Sequence, residues 1–414
     1  MRRRDFAMII LGPLALMFLS AIPFYIAGAV GTWTDAVFES VSGWTTTGIT
    51  VIEDVGSLHR ALNLWRCATQ WLGGLGSIMF FMVYAPTAAK GAFQELYSGS
   101  TGAGDDKVIP KALPYALFVL KIYSALTVML AAALMIGGMD WLDALSHSFS
   151  CVSTGGFSTR TEGLAYYHST AVTSVCALAA FLGGINYRLY YALFAASFIG
   201  PFPHRLAQVL KNSELRAYAL VISVSALLLG FTLGGDFRQG LFLSAANITT
   251  TGLIAQNVAR SGPTAVILFF MLFVGGCSGS SATGIKIIRW VILGKQCKKE
   301  AQRMLHPQGI FTLRMNGRPY TGRGPFLAIG YLCVFLIFVF LTVLAASACG
   351  APFNESLRAA LAATGNNQAA LGTTLTFLGM MTPAAKWWFT FVMFAARFEF
   401  YPVLLFLYPA FWKR

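Results

Sequence analysis

Four stretches of this chain, each an apolar run of half-helix length ending in small or polar residues, share one spacing, and that repetition constrains the fold most. They read DAVFESVSGWTTTG from Asp35 to Gly48, DALSHSFSCVSTGG from Asp143 to Gly156, QGLFLSAANITTTG from Gln239 to Gly252, and ESLRAALAATGNNQ from Glu355 to Gln368. Three copies close on glycine; the fourth closes on Gln368, and Gly365 matches only with a three-residue shift. A segment of ten to thirteen residues is too short for a bilayer core of about 30 Å, so each copy reads as a re-entrant half-helix followed by a loop. Unsatisfied loop carbonyls cost several kcal/mol each in lipid, so the four loops are expected to meet around one axis. The partially negative C-terminal ends of the half-helices would favour a cation there.

The surroundings are those of a membrane protein. Of 414 residues, 56% are hydrophobic and 11% charged, with mean hydropathy +0.64, a balance foreign to soluble domains of this size. Apolar stretches of spanning length lie at about 6–30, 65–89, 112–137, 170–200, 215–235, 262–293, 325–349 and 384–412. We therefore expect an all-α polytopic membrane protein with eight transmembrane helices, formed by four pseudo-symmetric repeats of helix, re-entrant half-helix with filter loop, and helix, around a central cation pore. The repeats fall at 6–90, 110–202, 214–300 and 324–414 within one membrane domain.

The net charge of +14 is explained by topology rather than by nucleic acid. Alternate loops collect twenty of the thirty basic residues on one side: Arg2, Arg3, Arg4, Lys90, Lys107, Lys111, Arg205, Lys211, Arg216, nine between Lys286 and Arg323, and Lys413 and Arg414. The positive-inside rule makes that side, and both termini, cytoplasmic. The apolar part of MRRRDFAMIILGPLALMFLSAIPFYIAG is too long for a signal peptide and reads as the first crossing. Seven cysteines without CxxC spacing read as small core residues, implying neither zinc nor disulfides.

Thr46, Thr47 and Gly48, then Thr154, Gly155 and Gly156, then Thr250, Thr251 and Gly252, put hydroxyls and unobstructed carbonyls where a cation needs them. Thr and Gly also enrich ordinary membrane helix interfaces, but three copies at one spacing favour the pore. Asn367 and Gln368 hold the fourth position. Three placements are open to Gln368: narrowing the pore, offering its amide dipole to the ion, or pointing back into the protein. The sixth crossing is interrupted by Gly275, Gly276, Cys277, Ser278, Gly279, Ser280, Ser281, Ala282, Thr283 and Gly284, a density of small residues that fits an unwound backbone beside a cavity, or else a tight helix crossing. Lys286 and Arg289 follow and are expected to snorkel to the cytoplasmic interface. Arg397, inside the last apolar helix, must face water, carbonyls or an acid on another helix. Lys121, Asn186 and Arg188 read as structural, and His147 as a packed, hydrogen-bonded residue. Gly276 to Gly279 also fits the GxSG of intramembrane serine proteases, with Ser278 as nucleophile, but that chemistry needs a histidine base, and none is placed to serve.

FESVSGWTTTGITVI (38–52), ALSHSFSCVSTGGFST (144–159), FVGGCSGSSATGIKIIRW (273–290) and AKWWFTFVMFAARFEFYPVLLF (385–406) resemble the Trk/Ktr/HKT superfamily of potassium transporters, most closely the TrkH-type membrane subunit, over almost the whole chain. The resemblance implies gated potassium uptake without catalysis or organic cofactor, with filter glycines at Gly48, Gly156 and Gly252. It makes 275–284 with Lys286 an intramembrane gate, and Arg397 a positive barrier below the filter. It further implies a homodimer in the bacterial inner membrane, surrounded by lipid and resting on a cytoplasmic ring of TrkA- or KtrA-type nucleotide-binding subunits. The departure at Gln368 leaves a non-conducting or altered-selectivity relative as the alternative.

Overall fold

Long apolar helices, short buried helices and interrupted returning segments alternate along the chain. In the computed structural model, residues 3–81, 112–195, 201–255, 262–320, 324–371 and 381–412 are described. The expected cytoplasmic segment 90–111 lies outside them, as do Arg2, Arg323, Lys413 and Arg414.

The long outer helices are Arg3–Ile26, Ala112–Ile136, Ser213–Thr232 and Gly324–Ser347. Their sequences are apolar around most of the circumference, and large side chains such as Leu19, Met129, Phe231 and Phe340 are exposed, as a lipid-facing helix allows. Each packs on the short helix that follows it: Trp33–Trp44, Trp141–Val152, Phe237–Ile248 and Phe353–Gly365. The short helices have 12, 12, 12 and 13 residues, or about 18–20 Å at 1.5 Å per residue. Two start on side-chain caps, with the Asp35 amide donating to Thr32 Oγ1 at 3.1 Å and the Gln239 amide to Asp236 Oδ1 at 3.0 Å.

The returning segments close the arrangement. Arg60–Met79 packs on the second short helix, Thr170–Gly183 on the third, and Pro383–Arg397 on the first. The short helices are thus packed between the outer helices and the returning segments.

Hydropathy alone had suggested unbroken crossings at 170–200 and 384–412. Instead Thr170–Gly183 meets Tyr187–Phe194 at 87°, and Pro383–Arg397 meets Tyr401–Leu407 at 116°. The second bend is made by Glu399 and Phe400, both with φ of 57°, a left-handed conformation that no apolar window registers. Arg397 is thus the last residue of its helix rather than an interior one. By length and composition four described helices can cross a membrane, or six if each bent pair counts as one.

Among the described residues the expectation of an all-α chain meets one exception: Arg314–Met315 pairs antiparallel with Arg318–Pro319. This ribbon packs Leu313 and Met315 on Ile288 and Ile292, and Asn316 Oδ1 accepts the Ser213 amide at 2.9 Å. Four cysteines, Cys67, Cys151, Cys176 and Cys277, are buried as expected, but Cys349 is half-buried and Cys297 and Cys333 are exposed, on the helix Ile287–Leu305 and the outer helix Gly324–Ser347 respectively.

Candidate functional site

The four short helices end alike. Thirteen residues after each helix start stand Thr46, Thr154, Thr250 and Asn366, with φ of 53°, 55°, 59° and 48°. A left-handed turn closes the helix by a backbone bond from the next residue: Thr47 to Ser42, Gly155 to Ser150, and Asn367 to Ala362, at 2.8–2.9 Å. Three of the four left-handed residues are threonine, for which a β-branched side chain makes this conformation unfavourable by about 1–2 kcal/mol. Repeated strain at matching positions marks a conformation needed for something other than helix termination.

The next two residues of each copy form a closed circuit. A Cβ on Gly48 would stand 2.4 Å from the Gly155 carbonyl oxygen; on Gly156, 2.1 Å from that of Thr251; on Gly252, 2.9 Å from the Ala369 amide nitrogen. The circuit closes where the Gln368 amide donates to the Thr47 carbonyl at 3.1 Å. Glycine is required because φ is 79°, 87° and 69° at these positions and the neighbouring loop occupies the side-chain position. In the fourth copy the helix consumes Gly365, leaving Gln368 at the position of the three glycines. Its side chain points inward: Nε2 donates to the carbonyls of Gly156 at 2.6 Å and Gly252 at 3.2 Å.

Hydroxyls and amides brace the ring. Thr45 and Thr47 share a 2.7 Å hydrogen bond, as do Thr249 and Thr251. Asn366 Nδ2 donates to Thr47 Oγ1 at 2.7 Å, and Asn367 Nδ2 to the Asn247 carbonyl at 3.0 Å. Behind the ring lie groups that the sequence reading did not single out. Gln70 acts as a peptide surrogate, donating from Nε2 to the Gly155 carbonyl at 2.8 Å and accepting the Phe157 amide at 3.1 Å. Arg66, 1% exposed, pairs at 2.8 Å with Glu39, which is fully buried. The Glu39 carboxylate also accepts from Thr50 Oγ1 and the Val51 amide, at 3.0 and 3.1 Å, while Arg66 reaches the Ser158 carbonyl at 3.3 Å and lies 4.1 Å over the Phe157 ring. A charge inside an apolar segment was the available signal for both residues.

Residues 272–286, between Gly262–Met271 and Ile287–Leu305, have no regular helix and lie against the ring. Thr154 Oγ1 lies 3.4 Å from Ser281 Oγ, and Thr250 Oγ1 accepts the Thr283 amide at 3.0 Å. Ser281 Oγ also sits 3.1 Å from the carbonyls of Val152 and Gly183. Gly275 and Gly284 are pressed together, since a Cβ on Gly275 would meet the Thr283 carbonyl oxygen at 2.0 Å, and the Gly276 carbonyl accepts the Ile287 amide. Gly279 accepts from the Tyr187 amide at 3.1 Å, Ser280 Oγ bonds back to Cys277, and the Ser278 amide donates to buried Glu214 at 2.5 Å.

Arg397, 3% exposed, reaches this segment from the last bend. It donates to the Ser281 carbonyl at 2.9 Å and to Ser77 Oγ at 2.6 Å. Among the described residues it has no carboxylate partner. The expected interfacial snorkelling of Lys286 and Arg289 is overturned: they are 2% and 7% exposed. Lys286 bonds to the Ala282 carbonyl and Arg289 pairs with Glu399, because the bend at 398–400 brings a carboxylate inward. Among the described residues Ser278 has no histidine hydrogen-bonded to it: His147 bonds to the Asp143 carbonyl and Ser158 Oγ, His204 to Gln208, and His59 to the Ala61 amide.

An open pocket of about 620 Å³ includes Asp35, Glu53, Asp54, His59 and Lys386. Thr161 Oγ1 donates to Asp54 at 2.8 Å, joining the loops of the first two copies. That bond, followed by the Gly56 amide, holds the Asp54 carboxyl below its ordinary range.

The sequence matches the TrkH family of cation transport proteins over residues 2–233 and 225–414. This chain belongs to the TrkH family. Among its relatives, the Trk system potassium uptake protein TrkG of Escherichia coli strain K12 is 31% identical over 426 residues, covering 100% of this chain and 86% of the relative. Trk system potassium uptake protein TrkH of Halomonas elongata is 31% identical over 406 residues, covering 95% and 83%. The crystal structure of the potassium transporter TrkH from Vibrio parahaemolyticus superposes with a TM-score of 0.86 at 29% identity, over 100% of this chain and 86% of that one. With its apolar outer helices, this TrkH-family chain is a membrane-embedded protein.

Proposed function

We propose that this chain takes up potassium as the membrane subunit of a Trk-type system. The observation that carries this reading is the closed circuit of Gly48, Gly156, Gly252 and Gln368 at the ends of four short helices. The carbonyls there replace an ion's water, and four helix C-termini supply negative potential without a carboxylate in the ring. Relatives named as potassium uptake proteins over nearly the full length support the choice of ion.

In this reading Thr46, Thr47, Gly48, Thr154, Gly155, Gly156, Thr250, Thr251, Gly252, Asn367 and Gln368 form the filter. The segment from Gly275 to Gly284 is the gate, held through Ser281 by Arg397, and Lys286 fixes its far end. Arg397 adds an unneutralised charge that raises the barrier to cations. Eight crossings with both termini in the cytoplasm place the basic stretch 286–323 inside, where it docks a nucleotide-binding regulatory ring. The full assembly is a homodimer in the inner membrane, and ions move down the electrochemical gradient, worth about 2.3 kcal/mol per charge per 100 mV.

Rubidium and sodium influx into proteoliposomes tests the filter assignment. A Cβ on Gly252 would lie 2.7 Å from Gln368 Cγ, so Gly252→Ser must displace the ring, and potassium-over-sodium preference is expected to fall at least roughly tenfold, about 1.4 kcal/mol of lost discrimination. Unchanged preference would refute the assignment.

A further inference from the structure

Gln368 does more than fill the place of a glycine. Its carboxamide lies among all three filter glycines: Nε2 donates to the carbonyls of Gly156 and Gly252 at 2.6 and 3.2 Å, and a Cβ on Gly48 would stand 2.9 Å from Oε1. The backbone beneath it is pinned, with the Gln368 amide bonded to Thr47 and the Leu371 amide bonded back to the Gln368 carbonyl at 2.9 Å. The head group is therefore positioned by its own loop and presents its two N–H groups to two carbonyl oxygens from different copies. Those oxygens are the ligands that a dehydrated monovalent cation needs.

An amide donor and a potassium ion compete for the same lone pairs. The side chain cannot diffuse away, so it competes at high effective concentration. We propose that the Gln368 carboxamide is a tethered competitor for potassium within the filter: an ion gains the Gly156 and Gly252 carbonyls only by displacing the amide that occupies them. This rests on the potassium-uptake reading and adds a property to it. The fraction of filters free to accept an ion is reduced by the closed amide state, and apparent affinity falls by that fraction. For two neutral hydrogen bonds the penalty is roughly tenfold to thirtyfold in half-saturating concentration.

Rubidium influx into potassium-loaded proteoliposomes, measured across external rubidium concentrations, tests the proposal with the full chain, Gln368→Gly and Gln368→Met. Glycine removes bulk and donors; methionine keeps comparable bulk and removes the donors. Half-saturating rubidium is expected to fall roughly tenfold to thirtyfold in both variants. Potassium-induced rise of the thermal unfolding midpoint in detergent, read on the same proteins, is expected to reach half its effect at a concentration lowered by the same factor. This second readout does not require conduction.

Transport by the wild type with unchanged half-saturation in both variants would overturn the competitor and leave the uptake reading intact. A fall in Gln368→Gly but not in Gln368→Met would also overturn it, since bulk rather than hydrogen bonding would then set the affinity. Flux that appears only when Gln368 is replaced by either residue would support the amide as the closing element. Folded protein with no flux and no potassium-dependent stabilisation in any of the three would refute potassium uptake itself, and the competitor with it.

Discussion

Two arginines are buried against the same ring, and their partners differ in kind. Arg66, behind the first and second loops, meets a fully buried carboxylate at 2.8 Å, a backbone carbonyl and an aromatic face. Arg397, beneath the ring, meets carbonyls and a hydroxyl, and among the described residues no carboxylate. Removing a charge from water costs several kcal/mol whichever partner receives it. In the first case the cost is offset within a closed pair and leaves no net charge, so Arg66 and Glu39 brace two loops without adding charge to the ring. In the second the positive charge persists and acts on whatever moves nearby. Burial alone does not distinguish a brace from a barrier; the neighbour's charge does.

The largest expected effect breaks the brace. Arg66→Ala leaves Glu39 charged and unpaired in the interior, and should lower stability by about 3–5 kcal/mol in thermal unfolding in detergent. Glu39→Leu combined with Arg66→Met should recover at least about 2 kcal/mol of that loss, since a buried pair replaced by apolar groups is often near neutral. If the double variant is as unstable as the sum of its parts, Glu39 and Arg66 are independent and the comparison fails. Arg397→Gln gives up hydrogen bonds to a charged group but strands no opposite charge, so its stability should fall by less than about 2 kcal/mol, short of the loss in Arg66→Ala, while rubidium flux rises roughly tenfold, equal to 1.4 kcal/mol off the barrier. A destabilisation matching that of Arg66→Ala would make Arg397 a second brace.

The short helices lie where the four copies lie because their spacing is local: start, length and left-handed closure all fall within fourteen consecutive residues. The outer helices were legible for the same reason, since continuous apolar character is a property of the segment alone. What escaped the sequence depends on distant partners. Gln70 resembles any polar helix residue until Gly155, 85 positions later, is brought against it. Arg289 begins a basic run and was expected at the interface, yet Glu399 reaches it across 110 positions through a bend made by left-handed Glu399 and Phe400. Glu399, two residues from Arg397, does not share its helix face, and no spacing rule names the partner it has. Glu39 was the clearest omission, a carboxylate in an otherwise apolar segment whose presence required a buried cation nearby.

The smallest expected effect separates two ways in which Arg397 would act as the proposed barrier to ions. Its fork joins Ser281 of the irregular segment to Ser77 of the helix Arg60–Met79, so it is both a fixed charge and a latch between two elements. Ser77→Ala keeps the charge and removes one side of the latch. The loss of one hydrogen bond to a charged group, about 1.5 kcal/mol, sets an upper limit of roughly tenfold on any rise in the population of released segments. If the charge dominates, rubidium flux in Ser77→Ala rises by less than about twofold, and Arg397→Lys, which keeps the charge but loses the planar fork, stays near the wild type. If both variants match Arg397→Gln, the latch accounts for the closed state, and the contrast with Arg66 becomes one of which elements each arginine ties together rather than of charge.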